Sequence, residues 1–143
     1  MSAYSVLIVD DSDNDRYILK RELKQIGIDS KIFESGDGQS ALELLTNYEE
    51  NKSAYDDEFP PTVIFLDINM PFVDGFAFLE IFSNLKKNHD MYNSIIIMMF
   101  TSSEMEAERE KALSYDCVAD YLVKGEYSTD ELKGKIETVV TKT

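Results

Sequence analysis

The sequence has no tryptophan, one cysteine, one histidine, three prolines and six glycines, and its shortages exclude whole classes of protein. Cys117 alone cannot form an internal disulfide, so this is not a small secreted scaffold held by cross-links. A single histidine, His89 in "KKNHDMYN", cannot build a histidine-rich metal site and reads as solvent-facing. Positive charge is also scarce: 14 Lys and Arg stand against 28 Asp and Glu, giving a formal charge of −14 and a pI near 4.3. Such a chain repels phosphate backbones and anionic lipid heads, which argues against direct nucleic-acid or membrane binding and for proteins or cations as partners. The longest apolar run, Ile95 to Phe100, is six residues, against the roughly 20 needed to span a bilayer. The opening MSAYSV carries neither a basic nor an apolar export segment, so a cytoplasmic location is expected.

What remains is 143 residues with 43% apolar content, enough for one domain over residues 1–143 with a single substantial core and no separate output domain. Short apolar runs alternate with amphipathic stretches. "YSVLIVDD" predicts a strand from Tyr4, and the next stretch a helix with Ile18, Leu19, Leu23 and Ile26 on one face, stopping at Gly27. "IDSKIF" (Ile28 to Phe33) predicts a second strand, and Ala41, Leu42, Leu45 and Tyr48 a second helical stripe. Residues 51–61 read as a polar loop. "TVIFLD" predicts the third strand, "DGFAFLEIFSNLKKN" a third helix and "SIIIMMF" a strand buried on both faces, with Met98 and Met99 as packing material. Ser103 and Glu106 have capping-box spacing before a fourth helix, "VADYLV" predicts a fifth strand, and Ser128 with Glu131 opens a fifth helix that offers Leu132, Ile136, Val139 and Val140 to the core. Five strand–helix units imply an α/β fold with a doubly wound parallel sheet between helices, and if its order is the flavodoxin-like 2-1-3-4-5 the first and third strands flank the crevice where the order reverses.

That topology predicts the site. Ligands bind beyond the carboxyl ends of the strands, where the strand order reverses. Asp10 and Asp11 end the first strand, Asp67 the third, Thr101 the fourth and Lys124 the fifth. Two carboxylates about 4 Å apart repel by roughly 4 kcal/mol at an effective dielectric near 20, more than the roughly 1.5–3 kcal/mol from burying one leucine. The acids therefore call for a hard cation, and Mg²⁺, which joins one or two carboxylates with phosphate oxygens, is the expected cofactor. Lys124 supplies a second, mobile countercharge. Between the two charges Asp67 is a placed nucleophile, and the Thr101 hydroxyl can donate to a phosphoryl oxygen, so acyl phosphate formation at Asp67 is the expected chemistry.

"VLIVDDS", "VIFLDINMPFVDG", "MMFTSS" and "DYLVK", in this order and spacing, resemble the receiver domain of two-component response regulators over essentially the whole chain. The resemblance implies that Asp67 accepts a phosphoryl group from a histidine kinase or a histidine phosphotransfer protein, and that the protein signals rather than turning over a substrate. It also implies that Asp11, Asp67 and the backbone carbonyl of Asn69 ligate Mg²⁺, while Asp10 assists through water. Thr101 and Tyr121 match the family's switch pair, whose hydroxyl and ring move on phosphorylation to alter the face of the fourth helix, fifth strand and fifth helix. The signal is then expected to leave through that face to a protein target, or by homodimerisation. Asn69 and Ser103 match positions that tune phosphate lifetime in the family. The chain departs from the pattern at Gly125, where the family usually has proline, and this, with the long polar loop before the third strand, resembles the small regulators associated with bacterial phytochromes.

Two rivals come from other classes. Asp11 to Glu22 ("DSDNDRYILKRE") approaches an EF-hand calcium loop, but Arg16 stands where the sharp turn needs glycine and the preceding segment is strand-like. An aspartate-nucleophile phosphatase usually carries a second acid two residues beyond the nucleophile. That position is Asn69, whose amide cannot shuttle a proton.

Overall fold

A computed structural model describes residues 5–141; residues 1–4, including Tyr4 and most of the segment read for an export signal, lie outside the described residues. Five parallel strands form one sheet in the order β2-β1-β3-β4-β5: β1 (Val6–Val9), β2 (Ile32–Ser35), β3 (Val63–Leu66), β4 (Ile96–Thr101) and β5 (Val118–Val123). This is the doubly wound arrangement expected from the alternating pattern, in the flavodoxin-like order. Val6 to Val9 and Val63 to Leu66 are wholly buried, because helices cover both faces of a parallel sheet and a half-polar strand would leave polar groups without water. Leu7, Val9, Ile64 and Leu66 look into one cluster with Phe33, Leu45, Phe78 and Phe82. Val6, Ile8, Val63 and Phe65 look into the other, with Leu19, Leu23, Leu132 and Ile136.

Six α-helices are described: α1 (Asp13–Gln25), α2 (Gly38–Thr46), α3 (Tyr48–Tyr55), α4 (Gly75–Asn88), α5 (Glu106–Leu113) and α6 (Thr129–Thr141). The extra one, α3, replaces much of the loop expected over 51–61, and a short 3₁₀ turn at Asp56–Glu58 follows it. It has no buried residue, so it carries no apolar periodicity from which a helix could be read. Contacts of single side chains hold it instead. Asn51 Nδ2 donates to Leu44 O at 2.8 Å, and the Tyr48 ring meets Phe59 and Tyr92 edge-on at 5.3 and 5.8 Å.

Other expectations shift for local reasons. Ile18 is 43% exposed while Leu19 and Leu23 are fully buried, so the core stripe of α1 is narrower than its apolar residues suggest. The second strand begins at Ile32 rather than Ile28, although Ile28 is buried ahead of it. Ser103 pairs with Glu108, not Glu106: its hydroxyl donates to the Glu108 carboxylate, and the cap position of α5 is Met105. At α6 the reciprocal box is present as read, with Glu131 N donating to Ser128 Oγ at 3.1 Å and Ser128 N to Glu131 Oε1 at 3.0 Å. His89 is exposed, and Met98 and Met99 are fully buried. The EF-hand reading fails structurally as well, because Asp13 to Glu22 lie on the helix α1 rather than on a loop.

Candidate phosphoacceptor site

The strand ends converge as the topology requires. Main-chain bonds Asp10 N to Ser35 O at 3.1 Å and Asp67 N to Val9 O at 3.0 Å carry the sheet one residue past β1 and β3, fixing both acids side by side at the rim. Asp10 is fully buried, Asp67 is 5% exposed, and Asp11 faces solvent. A carboxylate oxygen from each of Asp10, Asp11 and Asp67 lies within 4.8 Å of the others. Thr101, fully buried, closes β4, and Lys124 directly follows β5. Asn69 is exposed in the loop after Asp67. That loop turns at Phe72, a fully exposed side chain with φ of 65°, and re-enters the fold at Gly75. A Cβ on Gly75 would stand 2.5 Å from Asp67 O, so only glycine lets the start of α4 lie against the residue that carries the carboxylate.

Hydrogen bonds orient the acids individually. Asp67 Oδ1 accepts from Ile68 N at 2.8 Å, and Asp10 Oδ1 from Ser12 N at 2.9 Å. Lys124 Nζ donates to Asp67 Oδ2 at 3.3 Å and to Asp15 Oδ2 at 2.8 Å, and stands 2.7 Å from Asp10 Oδ2. Burial disfavours the ammonium charge, but the close carboxylates of Asp10 and Asp15 and the field of Asp67 outweigh it and push the Lys124 pKa above its ordinary value. Burial raises the Asp10 pKa, with Asp67 adding to the shift, and Lys124 and the Ser12 amide offset only part of it. Asp10 Oδ2 is buried with no hydrogen-bond donor at bonding angles, its one close countercharge being the lysine. An orphaned carboxylate oxygen among three acids is a donor set that suits a hard, oxygen-seeking cation.

Away from the acids, the second expected switch residue has its ring inward. Tyr121 is 4% exposed, its hydroxyl donates to Ser103 O at 3.0 Å, and Arg109 lies over its ring at 5.5 Å. Thr101 holds the same loop, accepting from Ser103 N at 3.3 Å through Oγ1 and from Lys124 N at 2.9 Å through its carbonyl. Gly125 takes a left-handed turn with φ of 78°, which leads the chain from Lys124 toward α6.

Sequence reasoning placed Asp10, Asp11, Asp67, Thr101 and Lys124 at this rim but missed Asp15. The spacing from Ser12 held a partial signal. Ser12 caps α1 by accepting from Asp15 N at 3.1 Å, so an acid at that position normally reaches back to the cap amide. Here Asp10 already satisfies that amide, which leaves the Asp15 carboxylate to Lys124, 109 residues away in the chain.

A doubly wound sheet with an acidic cluster and a lysine at its switch point defines an α/β protein whose ligand crevice lies beyond the carboxyl ends of its strands. The chain belongs to the response regulator receiver domain family, whose model matches residues 6–137, and is thus a receiver of two-component signalling. The chemotaxis protein CheY homolog of Campylobacter jejuni is 33% identical over 94% of this chain and 91% of its own length. The sensor histidine kinase CheAY of Helicobacter pylori is 30% identical over 95% of this chain, which spans 15% of that protein. Among solved structures, a two-component response regulator from Cytophaga hutchinsonii superposes with a TM-score of 0.80, covering 99% of both chains at 23% identity, a likeness of fold. The Mn²⁺-bound form of response regulator Rcp1 covers 96% of this chain and 90% of its own at 25% identity and a TM-score of 0.64.

Proposed function

We propose that Asp67 is the phosphoacceptor of a phosphorelay, charged by a histidine kinase or histidine phosphotransfer protein, and that the phosphorylated chain acts by protein contact rather than by catalytic turnover. The observation that carries this reading is the orphaned Asp10 oxygen inside the acidic cluster that Lys124 closes. In the transfer, an Asp67 oxygen attacks phosphorus and the phosphorus–nitrogen bond to the donor histidine breaks, with the electron pair leaving on the imidazole. Lys124 donates to the developing phosphoryl oxygens and Thr101 to a third oxygen. Asp10, Asp11, Asp67 and the carbonyl of Asn69 would hold Mg²⁺, in keeping with the Mn²⁺ of the Rcp1 structure. When bound, the ion supplies positive charge against the phosphoryl oxygens.

The output rests on Thr101 and Tyr121. Both hydrogen-bond Ser103, and Ser103 bonds Glu108 on α5, so a hydroxyl drawn toward Asp67 pulls on the start of α5. The responding face is formed by α5, β5 and α6, the fourth helix of the sequence reading being α5 once α3 is counted. A protein target, or a second copy of the chain, docks there.

Intact-mass spectrometry after incubation with acetyl phosphate and Mg²⁺ tests the reading. One labile phosphoryl adduct is expected, absent when a chelator is added first and absent in Asp67→Ala. An adduct that survives the Asp67→Ala substitution would move the acceptor elsewhere.

A further inference from the structure

An ammonium has three protons to donate, and Lys124 meets three carboxylates: Asp10 at 2.7 Å, Asp15 at 2.8 Å and Asp67 at 3.3 Å. Asp15 and Asp67 each accept one of its N–H groups and Asp10 stands at ion-pair distance outside bonding angles, so a phosphoryl oxygen competes with these carboxylates for the lysine. Asp10 is fully buried and cannot follow solvent, and Asp67 is the reacting group. The Asp15 side chain is 34% exposed and sits on the first turn of α1, where it can rotate into water.

We infer that Asp15 is a positioning residue that holds Lys124 in the unphosphorylated protein and yields it to the phosphoryl group, and so acts as a brake on the loading of Asp67. The inference rests on the phosphoacceptor reading above and adds to it the group that competes with phosphate for the lysine. Asp15 slows loading by occupying a lysine N–H that an incoming phosphoryl oxygen needs, so its effect runs through Lys124. The same helix face carries a second tie to this loop: Tyr127 Oη, three residues beyond Lys124, donates at 2.6 Å to Glu22 Oε1, and Glu22 lies two helical turns beyond Asp15. With α1 and the β5–α6 loop held together there, removing the Asp15 carboxylate leaves Lys124 close to Asp67.

The test is the rate at which acetyl phosphate loads the protein at fixed Mg²⁺, followed by intact mass. In this reaction the bond from the Asp67 oxygen to phosphorus forms as the bond from phosphorus to acetate breaks, and acetate leaves with the electron pair. Asp15→Asn is expected to load faster than wild type by about 1.5- to fivefold, the range to which a partly exposed ion pair of about 0.2–1 kcal/mol converts. In a Lys124→Ala background the same substitution is expected to give no gain, a coupling that a merely structural role of Asp15 would not produce. Wild-type protein that loads while Asp15→Asn is no faster, or a gain that persists without Lys124, overturns the brake and leaves the phosphoacceptor intact. Wild-type protein that never loads at Asp67 overturns both.

Discussion

At the scale of single residues, the site is a problem of charges held close together and kept from collapsing. Asp10, Asp11 and Asp67 present carboxylate oxygens within 4.8 Å of one another, and each bond the fold supplies pins one oxygen and leaves the other for chemistry. Asp67 Oδ1 is held by Ile68 N and Asp10 Oδ1 by Ser12 N, so the second oxygens both turn toward Lys124. The placement of Asp67 itself depends on a residue with no side chain. A Cβ on Gly75 would approach the Asp67 carbonyl to 2.5 Å and Ile68 Cα to 2.7 Å, and backbone cannot retreat as a flexible side chain can. Gly75→Ala is therefore expected to destabilise the fold by about 1–3 kcal/mol through overpacking, read as a lower urea midpoint at unchanged slope. An unchanged midpoint would mean that the loop from Asn69 to Asp74 absorbs the methyl group.

At the scale of elements, α1 links the site to the edge of the sheet. Ser12 caps it and Asp13 and Asp15 lie in its first turn, where negative charge suits the helix dipole. Arg16 then reaches in two directions: it donates to Asp10 O at 2.6 Å and, through Nε, to Glu34 Oε1 at 3.2 Å, while Lys20 donates to Glu34 Oε2 at 3.1 Å. Burial raises the Glu34 pKa, but Lys20 and Arg16 outweigh it and hold this carboxyl below its ordinary 4.5. The folded state thus sheds the Glu34 proton more readily than the unfolded chain. The stability it contributes is present above pH 4.5 and is lost as pH falls through the depressed folded value. Glu34→Gln is expected to be less stable than wild type at neutral pH, with the difference closing on acidification. Thermal melts of both proteins across that window check it, and parallel acid limbs would show that α1 and β2 are not coupled through this pair.

For the molecule as a whole, folding builds the acidic cluster, so anything that neutralises it stabilises the fold. No helix among the described residues is long and apolar enough to cross a membrane. Negative charge is spread over the chain, but among the described residues the buried acids, Asp10 and Asp67, both stand at strand ends. A cation that binds the folded cluster and not the unfolded chain adds stability by mass action, about 2.7 kcal/mol at one hundred times its dissociation constant. For a chain of this length that is a rise of roughly 5–11 °C in melting temperature. Mg²⁺ is expected to produce such a rise in wild-type protein and little in Asp11→Asn, where an exposed carboxylate of the cluster is lost without disturbing the core. Equal shifts in both proteins would place the ion elsewhere.

Much of this was legible in the sequence because it depends on patterns along one strand or helix. Continuous apolar runs mark strands buried on both faces, alternation with amphipathic stretches leaves few topologies open, and an acid at the end of such a run can only emerge at the rim. α3 was not legible, since a helix with no buried residue leaves no periodic trace. Nor was the inward ring of Tyr121, which a carbonyl from a neighbouring loop decides. By itself the sequence determined the alternation of buried strands and helices and which side chains end each strand, because burial and alternation are local constraints. Tertiary structure alone decided that Asp15 meets Lys124 across 109 residues, because a charge finds its partner by position in space, and only the packed sheet brings those two ends of the chain together.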